Sequence, residues 1–515
     1  MKITLIRAPM TLSKYASAAP AVPPIGLAYI AANILDCGYS VKVIDPIGES
    51  IDSYVPYGEN ILYRGLTLDS IVSRVEESDL IGLSVMFSQD WPLTIELINK
   101  IKFKLPNCKI VIGGEHAAAE PKGALEDCLN LDFVISGEGD EPIKDLIHSL
   151  VNGSDLTNVS SLHFRNINNL IISNSKRPRM RVLDDIPFPA WDLFPMENYL
   201  SDGHGWGVNR GRSMPIVASR GCPYQCTFCS NPNMWTTRWV VRNVDDVIDE
   251  IILYRKKYNA TNFDFQDLTA IVKKDWIKNF CLKLIDLNLN ITWQLPTGTR
   301  TEAIDEEVSF LLFKSGCKNI TYAPESGSTD VLKRIKKKIS INNMLHSAKV
   351  SVRAGLDVKF NFIFGFPEDK FIDLYHSTVF MVKLAYIGVS DISIAPFSPY
   401  PGSELFLQLQ RANKIPLKLD TDFYNKIPFS DMSSTVSWCD QINSKNLNRL
   451  RKIAMIIFYI VSYTTHPLRP FKRIFNFIKG VEETRMDKAL GDMRRRLFLL
   501  KSDKNSLKPT AIKPF

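Results

Sequence analysis

The sequence predicts an α/β protein in which a doubly wound Rossmann-like domain precedes a partial (β/α)6 barrel and a helical C-terminal tail. Three observations predict this fold class. Short apolar runs alternate with amphipathic stretches over residues 1–150, a second series of such units fills residues 206–410, and residues 411–515 are basic and helical in pattern. Residues 151–205 form a linker between the two series. At 515 residues the chain is long enough for several domains with substantial cores.

Five strands are predicted in the first domain, at residues 2–8, 41–45, 80–84, 109–112 and 132–136. Their alternation with helices is typical of a parallel sheet covered on both faces. Ligands on such sheets bind beyond the carboxyl ends of the strands, where the glycine-containing loops at 113–116 and 137–139 lie. The glycine spacing does not match G-x-G-x-x-G, so a nicotinamide dinucleotide is not favoured. A domain that only packs against its neighbour is the alternative.

The linker predicts little regular structure. Residues 159–172 predict a small antiparallel hairpin with its turn at 166–169. Pro178, Pro187 and Pro189 predict an extended path after the hairpin, because proline fixes φ and lacks a backbone N–H. We interpret most of this segment as a plain connection.

About six strand–helix units are predicted between residues 206 and 410, which suits a partial barrel rather than an eight-stranded one. The predicted strands are residues 214–219, 262–266, 292–295, 319–323, 357–363 and 391–395. Functional groups of such barrels lie at the carboxyl ends of the strands. The informative residues at those ends are Asp267, Arg300, Glu325, Ser326 and Gly365. Taken singly, each has an ordinary alternative as a surface group or a turn residue.

The net charge of +8 is concentrated in the tail, where Gln441 to Phe515 contains 17 Lys and Arg against 5 Asp and Glu. Residues 447–461 and 468–475 interleave basic side chains with large apolar ones. Two interpretations stay open: a helical cap packed on the barrel, which we favour, and an interfacial helix at an anionic lipid surface. No fold-specific motif supports nucleic-acid binding.

The composition also indicates a compartment. No apolar run approaches the roughly 18 residues of a membrane span. The first residues predict a buried strand rather than a signal peptide. Nine cysteines, three of them clustered, suit a reducing environment. We therefore expect a cytoplasmic protein, with the basic tail as the candidate for peripheral contact with the inner face of the membrane.

Three cysteines, Cys222, Cys226 and Cys229, lie in one short loop after the first predicted barrel strand. Thiolates are the ligands of iron–sulfur clusters, and three of them satisfy three irons of a cubane and leave the fourth open. The alternative is a structural zinc site, which needs a fourth Cys or His ligand. The candidates for that ligand are Cys281, Cys317 and His204. A disulfide framework is not favoured in a long chain from a reducing compartment.

The loop, Arg220-Gly221-Cys222-Pro223-Tyr224-Gln225-Cys226-Thr227-Phe228-Cys229, resembles the cluster motif of the radical S-adenosylmethionine (SAM) superfamily. The resemblance implies a [4Fe–4S] cluster on the three cysteines, with SAM chelated by the open iron and cleaved to a 5′-deoxyadenosyl radical. It also implies a one-electron donor such as flavodoxin or ferredoxin. Arg300 would pair with the SAM carboxylate. The SAM contacts that it implies are Phe228, Asp267, Arg300, Glu325, Ser326 and Gly365.

The first domain resembles the cobalamin-binding domain of B12-dependent radical SAM enzymes. The resemblance lies in Pro23-Pro24-Ile25-Gly26-Leu27, Gly113-Gly114-Glu115-His116 and Gly137-Glu138-Gly139. The residues implied around the corrin are Ser84, Phe87, Gly113, Gly114, His116, Gly137 and Glu138. The D-x-H-x-x-G motif with which some corrinoid proteins ligate cobalt is not in the sequence. We therefore favour His116 as a loop or corrin-edge contact over a cobalt ligand.

The resemblance covers residues 1–410 and implies an enzyme that uses a [4Fe–4S] cluster, SAM and cobalamin. We expect methylation of an unactivated carbon of a small-molecule or lipid substrate, in which the 5′-deoxyadenosyl radical abstracts hydrogen and methylcobalamin delivers the methyl group. A radical oxidation or cyclisation of the Mg-protoporphyrin ester cyclase type is the alternative, and a catalytically silent corrinoid module is a third hypothesis. No catalytic side chain is assigned.

Overall fold

The computed structural model describes residues 1–16, 20–427 and 435–502. It confirms the α/β class: a seven-stranded sheet and a six-stranded sheet are both covered by helices, and one hydrophobic core runs through the two. Parts of the predicted tail region 411–515, residues 428–434 and 503–515, lie outside the described residues.

The first domain is a doubly wound sheet. Its elements are β1 (Ile3–Arg7), β2 (Met10–Ser13), α1 (Ile25–Asp36), β3 (Val41–Ile44), α2 (Pro46–Glu49), β4 (Tyr54–Pro56), β5 (Ile61–Arg64), α3 (Leu68–Arg74), β6 (Leu80–Ser84), α4 (Trp91–Lys104), β7 (Lys109–Gly113), α5 (Glu115–Ala119), α6 (Pro121–Asp127), β8 (Phe133–Ile135), α7 (Asp140–Asn152), β9 (Leu162–Arg165) and β10 (Ile171–Ser173). The parallel strands run β3-β1-β6-β7-β8, the 2-1-3-4-5 order of flavodoxin-like folds. Ligands of this fold bind at the switch point between β1 and β6, beyond Arg7 and Ser84.

The predicted hairpin at residues 159–172 forms as β9 and β10, and it extends the first sheet. β9 pairs antiparallel with β8, so that Phe164 lies opposite Phe133. His163 Nε2 lies 2.9 Å from Ser136 Oγ, which ties the hairpin to the loop after β8. A second, three-stranded sheet with the order β2-β5-β4 is not predicted by the sequence.

The second domain is a partial barrel. Its elements are α8 (Met196–Leu200), β11 (Ser213–Ile216), β12 (Ser219–Arg220), α9 (Asn231–Trp235), β13 (Val240–Val241), α10 (Val244–Tyr258), β14 (Asn262–Phe265), α11 (Lys274–Leu287), β15 (Thr292–Thr299), α12 (Glu306–Lys314), β16 (Cys317–Glu325), α13 (Thr329–Arg334), α14 (Ile341–Arg353), β17 (Asp357–Phe364), α15 (Phe371–Ile387), β18 (Asp391–Pro396) and α16 (Glu404–Arg411). Six strands pair in parallel and in chain order, β11-β14-β15-β16-β17-β18. This topology confirms the predicted (β/α)6 barrel.

The described part of the tail is helical, with α17 (Thr421–Lys426), α18 (Ser444–Thr465), α19 (Leu468–Lys479) and α20 (Arg485–Ser502). α18 packs along α15 and buries Leu447, Ala454 and Phe458. The buried Arg451 guanidinium donates to the carbonyl of Ile394 at 2.9 and 3.0 Å. α18 therefore caps one side of the barrel. Within the described residues, no helix combines the length and apolarity needed to cross a bilayer.

Candidate active site

The cysteine loop starts where β11 ends and is held in place by backbone pairing. β12 carries Ser219 and Arg220 antiparallel to Val241 and Val240. Gly221 follows at φ +91°, and a Cβ there would collide with the carbonyl oxygen of Arg238. Glycine adopts this φ without strain and has no Cβ to collide with Arg238, so only glycine fits this position. The glycine before the first cysteine is therefore a geometric requirement of the loop.

The three thiols of the loop are half-buried, and all nine cysteines of the chain are free. Burial raises the pKa of the Cys226 thiol, with the Lys337 ammonium acting in the opposite direction. Burial also raises the pKa of Cys229 to about 12. Thr269 Oγ1 donates to Cys222 Sγ at 3.5 Å. Such thiols ionise only with strong help from a bound cation or metal.

The structure does not favour the zinc alternative. In the part of the chain that the structure describes, no three His, Cys, Asp or Glu side chains converge on a single ion position. Cys281 and Cys317 are buried in the core, and His204 Nε2 lies 3.1 Å from Arg495 Nη1. Thiols that bind three different irons of a cubane need not converge on one point, so the arrangement remains suitable for a cluster.

The middle of the cysteine loop is fastened to the barrel on both sides. Thr227 donates its N–H to the carbonyl of Ile335, and its own carbonyl accepts from Leu405 N–H. The ring of Phe228 lies 5.7 Å from that of Phe366. The loop is therefore anchored between α13 and α16 before any cofactor is considered.

A buried ion pair stands beside the thiols. Glu325, at the carboxyl end of β16, has a φ of +67° and accepts from Lys337 Nζ at 2.9 Å. Both side chains are about 10 % exposed. A non-glycine residue at this φ is strained, and such strain concentrates at functional sites. Lys337 was missed by sequence reasoning because it lies in a run of three lysines that resembles a solvated surface.

Two further predicted SAM contacts are engaged with protein groups. Asp267 accepts from Ser219 Oγ at 2.5 Å and from Ala218 N at 3.1 Å, and burial raises its pKa to about 6. The Arg300 guanidinium lies 3.5 Å from the centre of the Tyr224 ring, and its Nε donates to Glu302 at 2.9 Å. Asp267 therefore braces the strand that enters the cysteine loop, and Arg300 stacks directly on that loop.

The remaining predicted SAM contacts lie in tight turns at strand ends. Ser326 Oγ shares a hydrogen bond with Ser377 Oγ at 3.0 Å. Gly365, at φ +86°, donates its N–H to Asp369 Oδ2 at 3.0 Å. These turns follow β16 and β17, so the structure brings them to the same end of the barrel as the cysteine loop.

The carboxyl end of the first sheet faces this same region. Ser230 Oγ donates to Glu115 Oε1 at 2.9 Å, which joins the segment after Cys229 to the loop after β7. In the loop after β8, a Cβ on Gly137 would lie 3.6 Å from the Met234 carbonyl oxygen. The carboxyl ends of the strands of the two sheets, where ligands bind, therefore face each other.

An ion-pair network crosses from one domain to the other. Arg220 donates to both carboxylate oxygens of Asp140, at 2.7 and 3.2 Å, and lies over the ring of Tyr29. Glu138 is 3.6 Å from Arg220 and accepts from Arg179 at 2.6 Å. Arg220 and these acidic groups are all less than one-tenth exposed at their side chains. The network fixes the cysteine loop relative to the first sheet.

Comparison with known proteins identifies both halves. The B12 binding domain family matches residues 15–147 and the radical SAM superfamily matches residues 216–377. The chain is 30 % identical over 423 residues to the cytidylyl-2-hydroxyethylphosphonate methyltransferase of Streptomyces wedmorensis, covering 75 % of this chain and 78 % of that protein. The chain belongs to the B12-binding radical SAM enzymes.

Other relatives of this radical SAM enzyme agree. An uncharacterized methyltransferase of Pyrococcus horikoshii is 28 % identical over 466 residues, covering 89 % of this chain and 93 % of that protein. The anaerobic magnesium-protoporphyrin IX monomethyl ester cyclase of a Synechocystis species is 27 % identical over 320 residues, covering 61 % of this chain and 59 % of that protein.

Solved structures of B12-dependent radical SAM enzymes share the fold. OxsB, solved with aqua-cobalamin and SAM bound, has a TM-score of 0.67 at 16 % identity, covering 99 % of this chain and 82 % of its own. The methyltransferase TsrM from Kitasatospora setae, solved with cobalamin and a [4Fe–4S] cluster, has a TM-score of 0.62 at 15 % identity, covering 80 % of this chain and 78 % of its own. At these identities the likeness concerns the fold.

As a radical SAM enzyme with a B12-binding domain, the protein uses a [4Fe–4S] cluster, SAM and cobalamin. The donor set of the cysteine loop fits the cluster, since it offers three thiols and no fourth ligand of the same kind. Several buried polar atoms around the loop have no hydrogen-bond partner among the described residues, and they would suit SAM, whose amino and carboxylate groups need partners. They are Thr227 Oγ1, the side-chain amide of Asn231, Gln266 Nε2, Thr299 Oγ1 and Thr301 Oγ1. Asn231, Thr299 and Thr301 carry no motif that sequence reasoning could have used.

The predicted corrin contacts lie along the carboxyl end of the first sheet. Ser84 ends β6, and Phe87 begins the turn into α4. Gly113 ends β7 with open space where a Cβ would stand, whereas Gly114, at φ +113°, lies against the backbone of Val85. Gly137 and Glu138 follow β8, where the Glu138 carboxylate is engaged by Arg179. The open space at Gly113 fits the close approach of a cofactor, and the individual contacts stay predictions.

His116 is built into the core of the enzyme. It is 1 % exposed, its Nδ1 lies 3.1 Å from Ser88 Oγ, and its ring lies between Trp91 and Tyr424 at 5.0 and 6.0 Å. Burial lowers its pKa to about 3, so the imidazole is neutral at working pH. Its Nε2 has no hydrogen-bond partner among the described residues. That His116 is a loop or corrin-edge contact rather than the cobalt ligand stays a prediction.

We expect the His116→Gln enzyme to give the same cob(II)alamin electron paramagnetic resonance spectrum as the wild type, because the ring is held by Ser88 and two aromatic neighbours. The substitution His148→Gln at an exposed helix position is the matched control. A nitrogen splitting that is present in the wild type and in His148→Gln, but lost in His116→Gln, would contradict this prediction and make His116 the axial ligand.

Proposed function

We propose that this enzyme methylates a carbon of a small-molecule substrate, using SAM as the source of the methyl group. When bound, the cluster with SAM would supply the radical that removes hydrogen from the substrate, and methylcobalamin would supply the methyl group that replaces it. The chain's own residues bind these groups, set their separation and exclude water. Flavodoxin or ferredoxin is the proposed electron donor.

The observation that best supports the proposal is that the ligand-binding ends of the two sheets face each other. The contact of Glu115 with Ser230 and the pairing of Asp140 with Arg220 bring the loops after β7 and β8 against the cysteine loop. A substrate between the two sheets would reach both cofactors without leaving the site, which hydrogen removal and methyl delivery at one carbon require. The names of the Streptomyces and Pyrococcus relatives, both methyltransferases, support the same reaction.

The test uses anaerobically reconstituted holoenzyme and SAM whose methyl group is deuterated. The substrate panel begins with cytidylylated phosphonates, because the relative of 30 % identity acts on one. We expect 5′-deoxyadenosine and S-adenosylhomocysteine to form together, and the product to carry the deuterated methyl group. A product that gains no labelled methyl group would overturn the proposal.

A radical oxidation or cyclisation is the second candidate, and the similarity to the Synechocystis cyclase favours it. The same experiment separates the two functions. The cyclase reaction predicts 5′-deoxyadenosine without S-adenosylhomocysteine, and a product that has lost hydrogen but gained no carbon. A lipid substrate is not part of the proposal, because none of the contacts described at the site favours one.

A further inference from the structure

Helix α19 is attached to the barrel by its polar side. Arg469 donates to the carbonyls of Gly388 and Val389 at 2.5 and 3.0 Å. Arg473 donates to the carbonyl of Ser390 at 2.8 Å and to Asp391 at 2.7 Å. On the same side, Asn476 is 4 % exposed. The inward face of this helix is therefore made of cations and an amide.

The outward face of α19 is apolar. Leu468, Phe471 and Ile478 are 80 %, 71 % and 74 % exposed, and Ile474 and Phe475 between them are more than half exposed. Their spacing places them on one stripe of the helix. Surface helices of globular proteins turn such a stripe toward the core, so α19 has the reverse orientation.

α18 also has exposed apolar side chains: Ile453, Ile456 and Ile460 are each more than half exposed. We call the eight residues on the two helices the apolar face. Contiguous exposed apolar surface of this kind marks an interaction site rather than ordinary scatter.

The charged side chains of α18, α19 and the turn between them are all cations. Residues 444–479 contain eight Lys and Arg and no Asp or Glu. Lys445, Arg449, Lys452 and Lys479 are exposed and form no ion pair within the described residues. Lys472 is exposed and pairs with Glu483 at 2.7 Å. A surface with apolar side chains at its centre and unpaired cations beside them is complementary to an anionic lipid bilayer.

The position of the apolar face is compatible with catalysis. The carbonyls that hold α19 belong to residues 388–390, immediately before β18, and therefore lie at the amino ends of the barrel strands. The cysteine loop lies at the carboxyl ends. The part of the apolar face on α19 therefore lies at the end of the barrel opposite the cysteine loop.

We propose that the apolar face of α18 and α19 docks the enzyme on an anionic phospholipid bilayer as a peripheral membrane protein. α19 lies in the plane of the interface, with the stripe from Leu468 to Ile478 among the acyl chains and the lysines at the headgroups. The docking needs no substrate, so it stands or falls independently of the proposed reaction.

The test is flotation of the full-length holoenzyme with phosphatidylcholine vesicles that contain about 30 % phosphatidylglycerol, and with pure phosphatidylcholine vesicles. We expect flotation with the anionic vesicles only, weakened by salt. The double substitution Phe471→Ser and Ile478→Ser should reduce binding by about tenfold or more. Phe103→Ser, at a 93 % exposed phenylalanine on α4, is the matched control and should bind like the wild type.

Unchanged cluster absorbance and 5′-deoxyadenosine formation in the double variant would show that it is folded. Absence of flotation by the wild type, or equal flotation of the double variant, would overturn the proposal. A wild-type dimer that becomes monomeric in the double variant, without vesicle binding, would assign the face to a second copy of the chain. Flotation gained only after deletion of residues 503–515 would assign it to the chain's own end. Both outcomes would likewise overturn the proposal.

Discussion

Substitution of Cys226 by alanine is expected to reduce 5′-deoxyadenosine formation to the level found without enzyme. The predicted ligands of the cubane are the three thiols of one loop, and of the six other cysteines Cys108, Cys128, Cys281 and Cys317 are buried elsewhere in the sequence. Two thiolates would leave two irons without protein ligands, so the cluster would not survive reconstitution. Iron and sulfide analysis together with a SAM cleavage assay measure both steps.

Cys37→Ala, at an exposed cysteine after α1, is the matched control and should retain full cluster content and full SAM cleavage. A Cys226→Ala enzyme with one cluster per chain and undiminished cleavage would contradict the assignment of the site. Equal loss in both variants would mean that the effect comes from general instability rather than from the ligand set.

The second large effect is expected for Asp140→Asn. Burial alone would lower the pKa of Arg220, but the Asp140 carboxylate raises it on balance, so the guanidinium stays charged and depends on this partner. Glu138, 3.6 Å away, is already shared with Arg179. Breaking a buried pair by removing one partner costs about 3–5 kcal/mol. We expect a loss of that size in unfolding free energy, with poorer cluster content because Arg220 lies two residues before Cys222.

Denaturant unfolding of the apo-protein, followed by cluster analysis of the reconstituted variant, measures this prediction. The control is Glu77→Gln at the pair between Lys2 and Glu77, which is exposed on both sides and should leave the free energy of unfolding nearly unchanged. If Asp140→Asn and Glu77→Gln were equally stable, the network between the domains would be a passive contact.

The bounds of a strand were predictable where the strand is a continuous apolar run whose end is marked in the sequence. Leu80–Ser84 has the bounds that its sequence predicts, because both faces of the strand are buried. β15 extends to Thr299, beyond the predicted end at residue 295. The prediction stopped too early because Pro296 and Gly298 resemble strand breakers. In the structure they lie at a shift in the pairing register, where the strand continues. The sheet β2-β5-β4 escaped prediction because its strands have only three or four residues.

The residues of the candidate site were predictable when they form a pattern within a short segment, and were not predictable when they meet only in the folded structure. Cys222, Cys226 and Cys229 were predictable because their chemistry depends on spacing within eight residues. The pair between Glu325 and Lys337 and the pair between Asp140 and Arg220 were not, since the second joins residues 80 positions apart. No local pattern records a partner at that distance. Glu138 is a further example, because its carboxylate accepts from Arg179, a partner that no local pattern records, while its contact with the corrin stays a prediction.

The salt bridge between Asp140 and Arg220 also makes the folding of the cysteine loop depend on the first domain during synthesis. Because domains fold as units from the amino end during synthesis, we expect the sheet that carries Asp140 to form before the cysteine loop leaves the ribosome. Arg220 would then pair with an Asp140 carboxylate that is already in place, and the cysteine loop would fold against the completed first sheet. A recombinant fragment that begins after the linker would lack Asp140 and Glu138, so Arg220 would lose both of these acidic partners. Expression of the catalytic half alone is thus expected to yield protein that fails to mature.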